Sequence, residues 1–186
     1  MKPYLSLIFP AYNEEFRISK SLDTAFEYLS KQSYSFEVIV VDDGSKDKTV
    51  EVVSRLNNDM KIIKQPRNLG KGAAVRRGML EANGTYRVFS DSDLSTPIYE
   101  LEKLLTILQN STDVCIGSRG IDSSLIKEHQ PFYREFMGRF FNQIVQLYLL
   151  KGIKDTQCGF KGFKEKAAID IFSNATLDGF SFDVEI

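Results

Sequence analysis

The 186-residue sequence holds one histidine, two cysteines and no tryptophan, and its charges nearly cancel, leaving a net charge of −1. Each shortage removes a class of function. With His129 as the sole imidazole, a His-rich zinc site is impossible, and Ser-His-Asp or Cys-His catalysis would have to rest on that residue. Its setting, Lys-Glu-His-Gln-Pro, reads as a polar surface loop. Cys115 and Cys158 make no Cys-x-x-Cys pair. They fit buried thiols of a reduced cytoplasmic chain better than a disulfide scaffold, although two cysteines also allow one bridge. The balanced charge supplies no global field for nucleic acid, and no nucleic-acid partner is expected. No apolar run reaches the ~18 residues of a membrane-spanning helix. The N-terminus lacks a signal-peptide pattern, so any membrane contact is expected to be peripheral.

What is present suits one α/β domain, with 42% hydrophobic residues in a length fit for a single core. Apolar segments at 4–9, 36–41, 61–64, 86–90 and 113–116 predict strands. Stretches at about 14–30, 48–58, 70–83 and 98–109 predict the helices between them. Such alternation implies a parallel sheet covered on both faces. Beyond a polar loop at 120–130, a long helix is expected over 132–150, with Phe132, Phe136, Phe140 and Ile144 at four-residue spacing. Its wide apolar face fits either a core helix or one lying on a bilayer surface. A strand-like piece at 157–163 and a helix near 165–172 complete the pattern.

The chemistry gathers at the strand ends. Asp91 and Asp93 follow an apolar strand, and Pro97 turns the chain out of the sheet. Paired carboxylates at this position suit Mg2+ or Mn2+ and leave room for substrate phosphates. Pro-Ala-Tyr-Asn-Glu-Glu at 10–15 and Val-Asp-Asp-Gly-Ser at 41–45 also end strands. In parallel sheets ligands collect at these carboxyl ends, so all three segments point to one crevice. Within the second, Asp42 and Asp43 precede Gly44, and Ser45 or Asp47 can cap the next helix. One carboxylate is left over to accept hydrogen bonds from a base or ribose. The loop 68–78 opens a helix with glycines around Lys71. Phosphate binding and a close backbone contact both account for it. It is neither a dinucleotide fingerprint nor a P-loop, since Val75 replaces a required glycine and Gly72 follows the lysine. Arg119 follows a strand end and can reach the crevice, while Arg134 and Arg139 suit either phosphate or a solvated helix face.

Taken together, PAYNEE, VDDGSKDKT, NLGKGAAVRRGML, DSDLSTP, GSR, DTQCGFKGF and FSFDVEI resemble, in this order, the family 2 glycosyltransferases of the GT-A fold. The closer similarity is to the polyprenyl-phosphate sugar transferases, in particular their dolichyl-phosphate β-glucosyltransferase branch. The resemblance runs from Leu5 to Ile186. It implies a Rossmann-like GT-A domain over 1–186 with a mostly parallel central sheet. It also implies an inverting transfer from a nucleoside-diphosphate sugar to a polyprenyl phosphate, dolichyl or undecaprenyl. UDP-glucose is the favoured donor and GDP-mannose the second.

By the same resemblance, Pro10, Ala11, Tyr12, Glu14, Asp42, Asp43, Lys71 and Ser92 line the nucleotide-sugar pocket. Asp91 and Asp93 hold Mg2+ or Mn2+ and the diphosphate. Arg119, Arg134, Gln157 and Lys161 face the acceptor, and Asp183 is the candidate base or sugar-orienting carboxylate. Ser95 stands where some relatives place another metal-contacting side chain. Relatives also continue past the position of Ile186, so the chain is expected to end short of their length. Rival expectations are a non-lipid acceptor and a binding-only nucleotide-sugar domain. A nucleotidyltransferase is disfavoured because no Gly-rich basic loop follows the first strand. A phospho-receiver is disfavoured because the Asp pair follows the second strand. The expected location is the cytoplasm, with peripheral contact at the cytoplasmic membrane face.

Overall fold

The computed structural model describes residues 2–56, 60–110, 112–118 and 155–186. His129, Arg119, Arg134, Arg139, the loop at 120–130 and the helix expected over 132–150 lie outside the described residues.

Six strands form one sheet: β1 Leu5–Ala11, β2 Phe36–Asp42, β3 Lys61–Lys64, β4 Tyr86–Ser90, β5 Val114–Ile116 and β6 Phe160–Lys164. Their spatial order is β3-β2-β1-β4-β6-β5. The first four run parallel, with Leu5 opposite Phe36 on one side and opposite Tyr86 on the other. The chain steps outward from β1 to β2 and β3, then crosses to β4 on the other flank. The carboxyl ends of β1 and β4 therefore border a topological switch point, where sheets of this type open a crevice. β6 departs from strand–helix alternation, entering between β4 and β5 and pairing antiparallel with both. The sheet is mixed but mostly parallel.

The helices are α1 Ile18–Leu29, α2 Thr49–Leu56, α3 Lys71–Glu81, α4 Leu101–Asn110, α5 Glu165–Asn174 and the single turn α6 Phe182–Glu185. Side chains alternate across each strand, and this sorts the core into two layers. Leu5, Leu7, Phe9, Val38, Val40 and Val88 pack with Leu22 and Ala25 of α1, Val53 of α2 and Leu104 of α4. Ile8, Ile39, Val41 and Phe89 face the opposite way, onto Val75 and Met79 of α3 and Phe172 of α5. Phe163 stacks on Phe89 at 6.4 Å between ring centroids and meets Phe172 edge-on at 5.2 Å. These rings seat β6 against β4, which brings the residues before Phe160 beside the end of β4.

Candidate active site

Two loops make the first wall, and they are bonded to each other rather than standing separately. Asn13, in the left-handed region at φ 55°, receives Lys46 N–H on Oδ1 at 2.9 Å and donates its own N–H to Ser45 Oγ at 2.9 Å. Asparagine tolerates that backbone better than most residues. Glu14 N–H donates to Thr49 Oγ1 at 2.7 Å and Glu15 N–H to Asp47 Oδ2 at 3.1 Å. Lys48 N–H returns a bond to Glu15 Oε2 at 2.9 Å. Asp47 Oδ1 also accepts from Thr49 N–H at 2.9 Å, closing the start of α2. Partial burial pushes the Asp47 carboxyl upward, but the donors from Thr49 and Glu15 hold it below its ordinary value. Asn13, Ser45, Asp47 and Thr49 thus shape the wall. Only the capping capacity of Ser45 and Asp47 is visible in the sequence.

Pro10 and Ala11 are buried at the end of β1, and Tyr12 emerges at 39% exposure. The Glu14 carboxylate is held by Arg17 through two bonds of 2.9 and 3.0 Å.

The adjacent aspartates divide their tasks. Asp43 is buried and satisfied by three donors: Gln65 Nε2 and Leu69 N–H at 2.8 Å, and Gly70 N–H at 2.9 Å. It ties the end of β2 to the loop that begins α3. Asp42 is also buried, but among the described residues its carboxylate receives only the Ser45 N–H, at 3.3 Å from each oxygen. Its acceptor capacity is the larger reserve of the two.

The start of α3 is closed by backbone. Gly70 takes φ 109°, and a Cβ there would collide with the Asp178 carbonyl. That carbonyl accepts the Ala73 N–H at 3.2 Å. The second sequence reading of this loop, a close backbone contact, therefore accounts for its glycines. Segment 175–185 is fastened there by Arg76, which donates to Ala175 O at 3.2 Å and Asp178 Oδ1 at 2.6 Å. Glu185 holds the same segment from its other end, accepting Thr176 N–H, Thr176 Oγ1 and Leu177 N–H, each at 2.8 Å.

Lys71 reaches from the first residue of α3 to Asp91, with Nζ 2.5 Å from Oδ1. Asp91 leaves β4 directly, and its N–H donates to Gly159 O at 2.8 Å. A Cβ on Gly159 would overlap the Asp91 carboxylate. The glycine before β6 is thus the space in which that carboxylate sits. Ser92 is buried, and Asp93 is exposed with Oδ1 accepting Ser95 N–H at 2.9 Å. Among the described residues no three His, Cys, Asp or Glu side chains converge. Asp91 and Asp93 present hard oxygen donors on one short turn. That donor set fits a divalent cation whose remaining ligands are water and a diphosphate.

Beneath this turn lies a second pair. Lys161, directly opposite Phe89 in the β4–β6 register, is 1% exposed and its ammonium contacts Asp183 Oδ1, itself in a residue 5% exposed. It also donates to Thr156 O at 2.9 Å and stands 5.7 Å from the ring centroids of Phe89 and Phe182. Burial pushes the Lys161 ammonium down and the Asp183 carboxyl up, each opposed by the charge of the other. The family resemblance implies acceptor- or sugar-facing roles for both. The structure places them in the interior, joined to each other, while Gln157 remains half-buried nearby.

Carboxylates at the ends of β1, β2 and β4 on this mixed sheet are the architecture of a GT-A transferase domain. The family model of Glycosyl transferase family 2 matches residues 6–172. The chain belongs to that family. It is 37% identical to a dolichyl-phosphate beta-glucosyltransferase of Dictyostelium discoideum and 35% identical to the one of Homo sapiens, in each case over 98% of the chain and 61% of the relative. The chain therefore spans about three-fifths of the length of these relatives. Among solved structures, glucosyl-3-phosphoglycerate synthase from Mycobacterium tuberculosis, with Mn2+ and UDP-glucose, superposes with a TM-score of 0.71 at 21% identity. That match covers 98% of this chain and 62% of that one. S. aureus TarS 1-349 superposes at 0.62 with 26% identity, over 98% of this chain and 53% of its own. Among the described residues no helix is long and apolar enough to cross a membrane.

Proposed function

We propose that this chain is the catalytic domain of an inverting glycosyltransferase that moves glucose from UDP-glucose to a polyprenyl phosphate. The observation that carries the reading is the placement of Asp91 and Asp93 at the end of β4, on the same carboxyl rim of the sheet as Asp42 at the end of β2 with β1 between them, and with Lys71 against Asp91. Its support from kinship is the 34–37% identity to dolichyl-phosphate beta-glucosyltransferases over 98% of the chain.

In this reading Tyr12 and Asp42 receive the nucleoside, with Pro10, Ala11 and Glu14 forming the floor and edge of that pocket. Asp43 acts one step back, holding the loop that presents Lys71. Asp91 and Asp93 hold Mg2+ or Mn2+, with Ser92 between them. When bound, the ion offsets negative charge on the departing diphosphate. The acceptor supplies its own nucleophile: a phosphate monoester has a second pKa of about 6 and is substantially ionised at neutral pH. It can attack the anomeric carbon without a strong base. Positioning and electrostatics therefore carry the reaction. Arg119, Arg134 and Gln157 are assigned to the acceptor side. The buried Lys161–Asp183 pair holds the wall behind the transferred sugar. A lipid acceptor places the reaction at a membrane face, cytoplasmic where the nucleotide sugar is available.

Incubation with UDP-glucose, dolichyl phosphate and Mn2+ should release UDP and form a glucosylated lipid. Asp93→Asn should abolish the metal-dependent transfer. Near-normal turnover by that variant, or transfer to water alone at the rate seen with lipid phosphate, would overturn the reading.

A further inference from the structure

We propose that Lys71 is a built-in counter-cation for Asp91, which the donor diphosphate must draw away before a divalent ion can settle, so that metal and nucleotide bind synergistically. The inference rests on the donor-site reading above and adds an order of events to it.

Separate observations converge. The ammonium lies 2.5 Å from Asp91 Oδ1, and the two side chains are only 19% and 29% exposed, so solvent screens the pair incompletely. Asp91 cannot readily turn aside: its N–H is bonded to Gly159 O and its carboxylate rests in the space left by that glycine. A divalent ion binding there must meet the lysine. Two cations sharing one carboxylate oppose each other strongly, so one of them leaves.

The position of Lys71 is also locally unfavourable. It is the first residue of α3, whose first turn contains no acidic side chain. A cation at the positive end of a helix has the wrong sign. Asp91 offsets that cost, and a residue that breaks a local rule in this way marks a functional demand. The flexible stem lets the ammonium follow a diphosphate entering over the helix start; in its present seat against Asp91, Nζ also lies 5.9 Å from the centroid of the Phe182 ring. Asp93 makes no ion pair among the described residues and is exposed, so it is open to the incoming ion from the outset.

The test is titration of Mn2+ followed by the electron paramagnetic resonance of the free ion, with and without saturating UDP. Wild-type protein should bind Mn2+ weakly alone and roughly tenfold or more tightly with UDP. Mn2+ should raise UDP affinity by the same factor, as linkage requires. Lys71→Met should bind Mn2+ alone roughly tenfold more tightly than wild type, with the UDP effect largely gone. Lys71→Arg, which keeps the cation, should retain weak binding of the bare ion. Equal bare-ion affinity in wild type and Lys71→Met overturns the inference. So does wild-type binding of Mn2+ that UDP leaves unchanged. Failure of wild type to bind Mn2+ even with UDP instead overturns the donor-site reading itself. If Lys71→Met does not fold, Lys71→Gln, which also removes the cation, decides the matter by the same comparison of bare-ion affinity with wild type.

Discussion

Lys161 and Asp183 form an ion pair sealed from solvent, with side chains 2% and 4% exposed and the ammonium 5.7 Å from the rings of both Phe89 and Phe182. Partners 22 residues apart in sequence are thereby joined across β6 and the last helical turn. Breaking such a pair from one side strands a charge in the interior, at a cost of about 3–5 kcal/mol. Lys161→Met and Asp183→Asn should each destabilise by that order in urea unfolding. Replacing both with apolar residues of similar volume should recover much of the loss.

The two single variants should respond to pH in opposite directions. Burial already holds the Asp183 carboxyl above its ordinary 3.8, and loss of Lys161 removes the charge that opposes the rise. A carboxyl with a raised folded value stabilises fully below its unfolded value and loses that contribution as pH climbs through the folded one. Lys161→Met should therefore be more stable in mild acid than at neutrality. Asp183→Asn leaves an ammonium whose folded value lies below 10.5. Its contribution is present above the unfolded value and lost as pH falls, so that variant should gain stability in alkali. Melting curves across the pH range check both slopes.

The contrast between these buried charges and their sequence reading is instructive. Strand–helix alternation revealed the parallel strands and nearly all their boundaries, because apolar runs of four to seven residues have few other uses in such a chain. PAYNEE, VDDGS and DSD likewise point to strand ends, and the structure has them at the carboxyl ends of β1, β2 and β4. Lys161 is assigned to the acceptor side by the family resemblance alone, which says nothing of how deeply its side chain is buried. Its partner, Asp183, is visible only once β6 is known to lie beside β4 with Phe182 above it. The antiparallel entry of β6 was illegible for the same reason: pairing direction is decided by contacts between distant segments. So was the bonding of Asn13, Glu14 and Glu15 to residues 45–49, which depends on two adjacent strand ends.

Gly159→Ala should disturb the site while sparing the sheet. The added methyl would fall on the Asp91 carboxylate, and overpacking of this kind costs about 1–3 kcal/mol. A modest drop in melting temperature should accompany a much larger loss of UDP-dependent Mn2+ binding. Unchanged ion binding would show that Asp91 has more room than the structure gives it.

Asp47→Ala should loosen the first wall. The carboxylate accepts Thr49 N–H at 2.9 Å and Glu15 N–H at 3.1 Å. Loss of a capping side chain costs about 0.5–2 kcal/mol. Hydrogen exchange should quicken at both Glu15 and Thr49, the first lying on the other loop; protection retained at Glu15 would show that the loops hold together without it.

Acid should release segment 175–185 early. Backbone donors from Leu177 and Thr176 hold the Glu185 carboxyl below its ordinary 4.5. The contribution of a depressed carboxyl is present above the unfolded value and is lost as pH falls through the folded one. Below about pH 4.5, amide exchange at Thr176 and Leu177 should accelerate before the sheet opens. Glu185→Gln should show the fast exchange already at neutral pH.

The antiparallel entry of β6 also bears on how such a domain can diversify. Gly117 N–H donates to Phe160 O at 2.8 Å, so the chain leaves β5 and enters β6 at the same rim, beside the end of β4. Both ends of that connection are anchored by the sheet itself. A connecting segment can be lengthened, shortened or replaced without moving a strand, much as a tool is exchanged in a fixed chuck. On the proposed assignment, with the nucleotide at the parallel half, new acceptors could be explored from the other side of the rim without renegotiating that half.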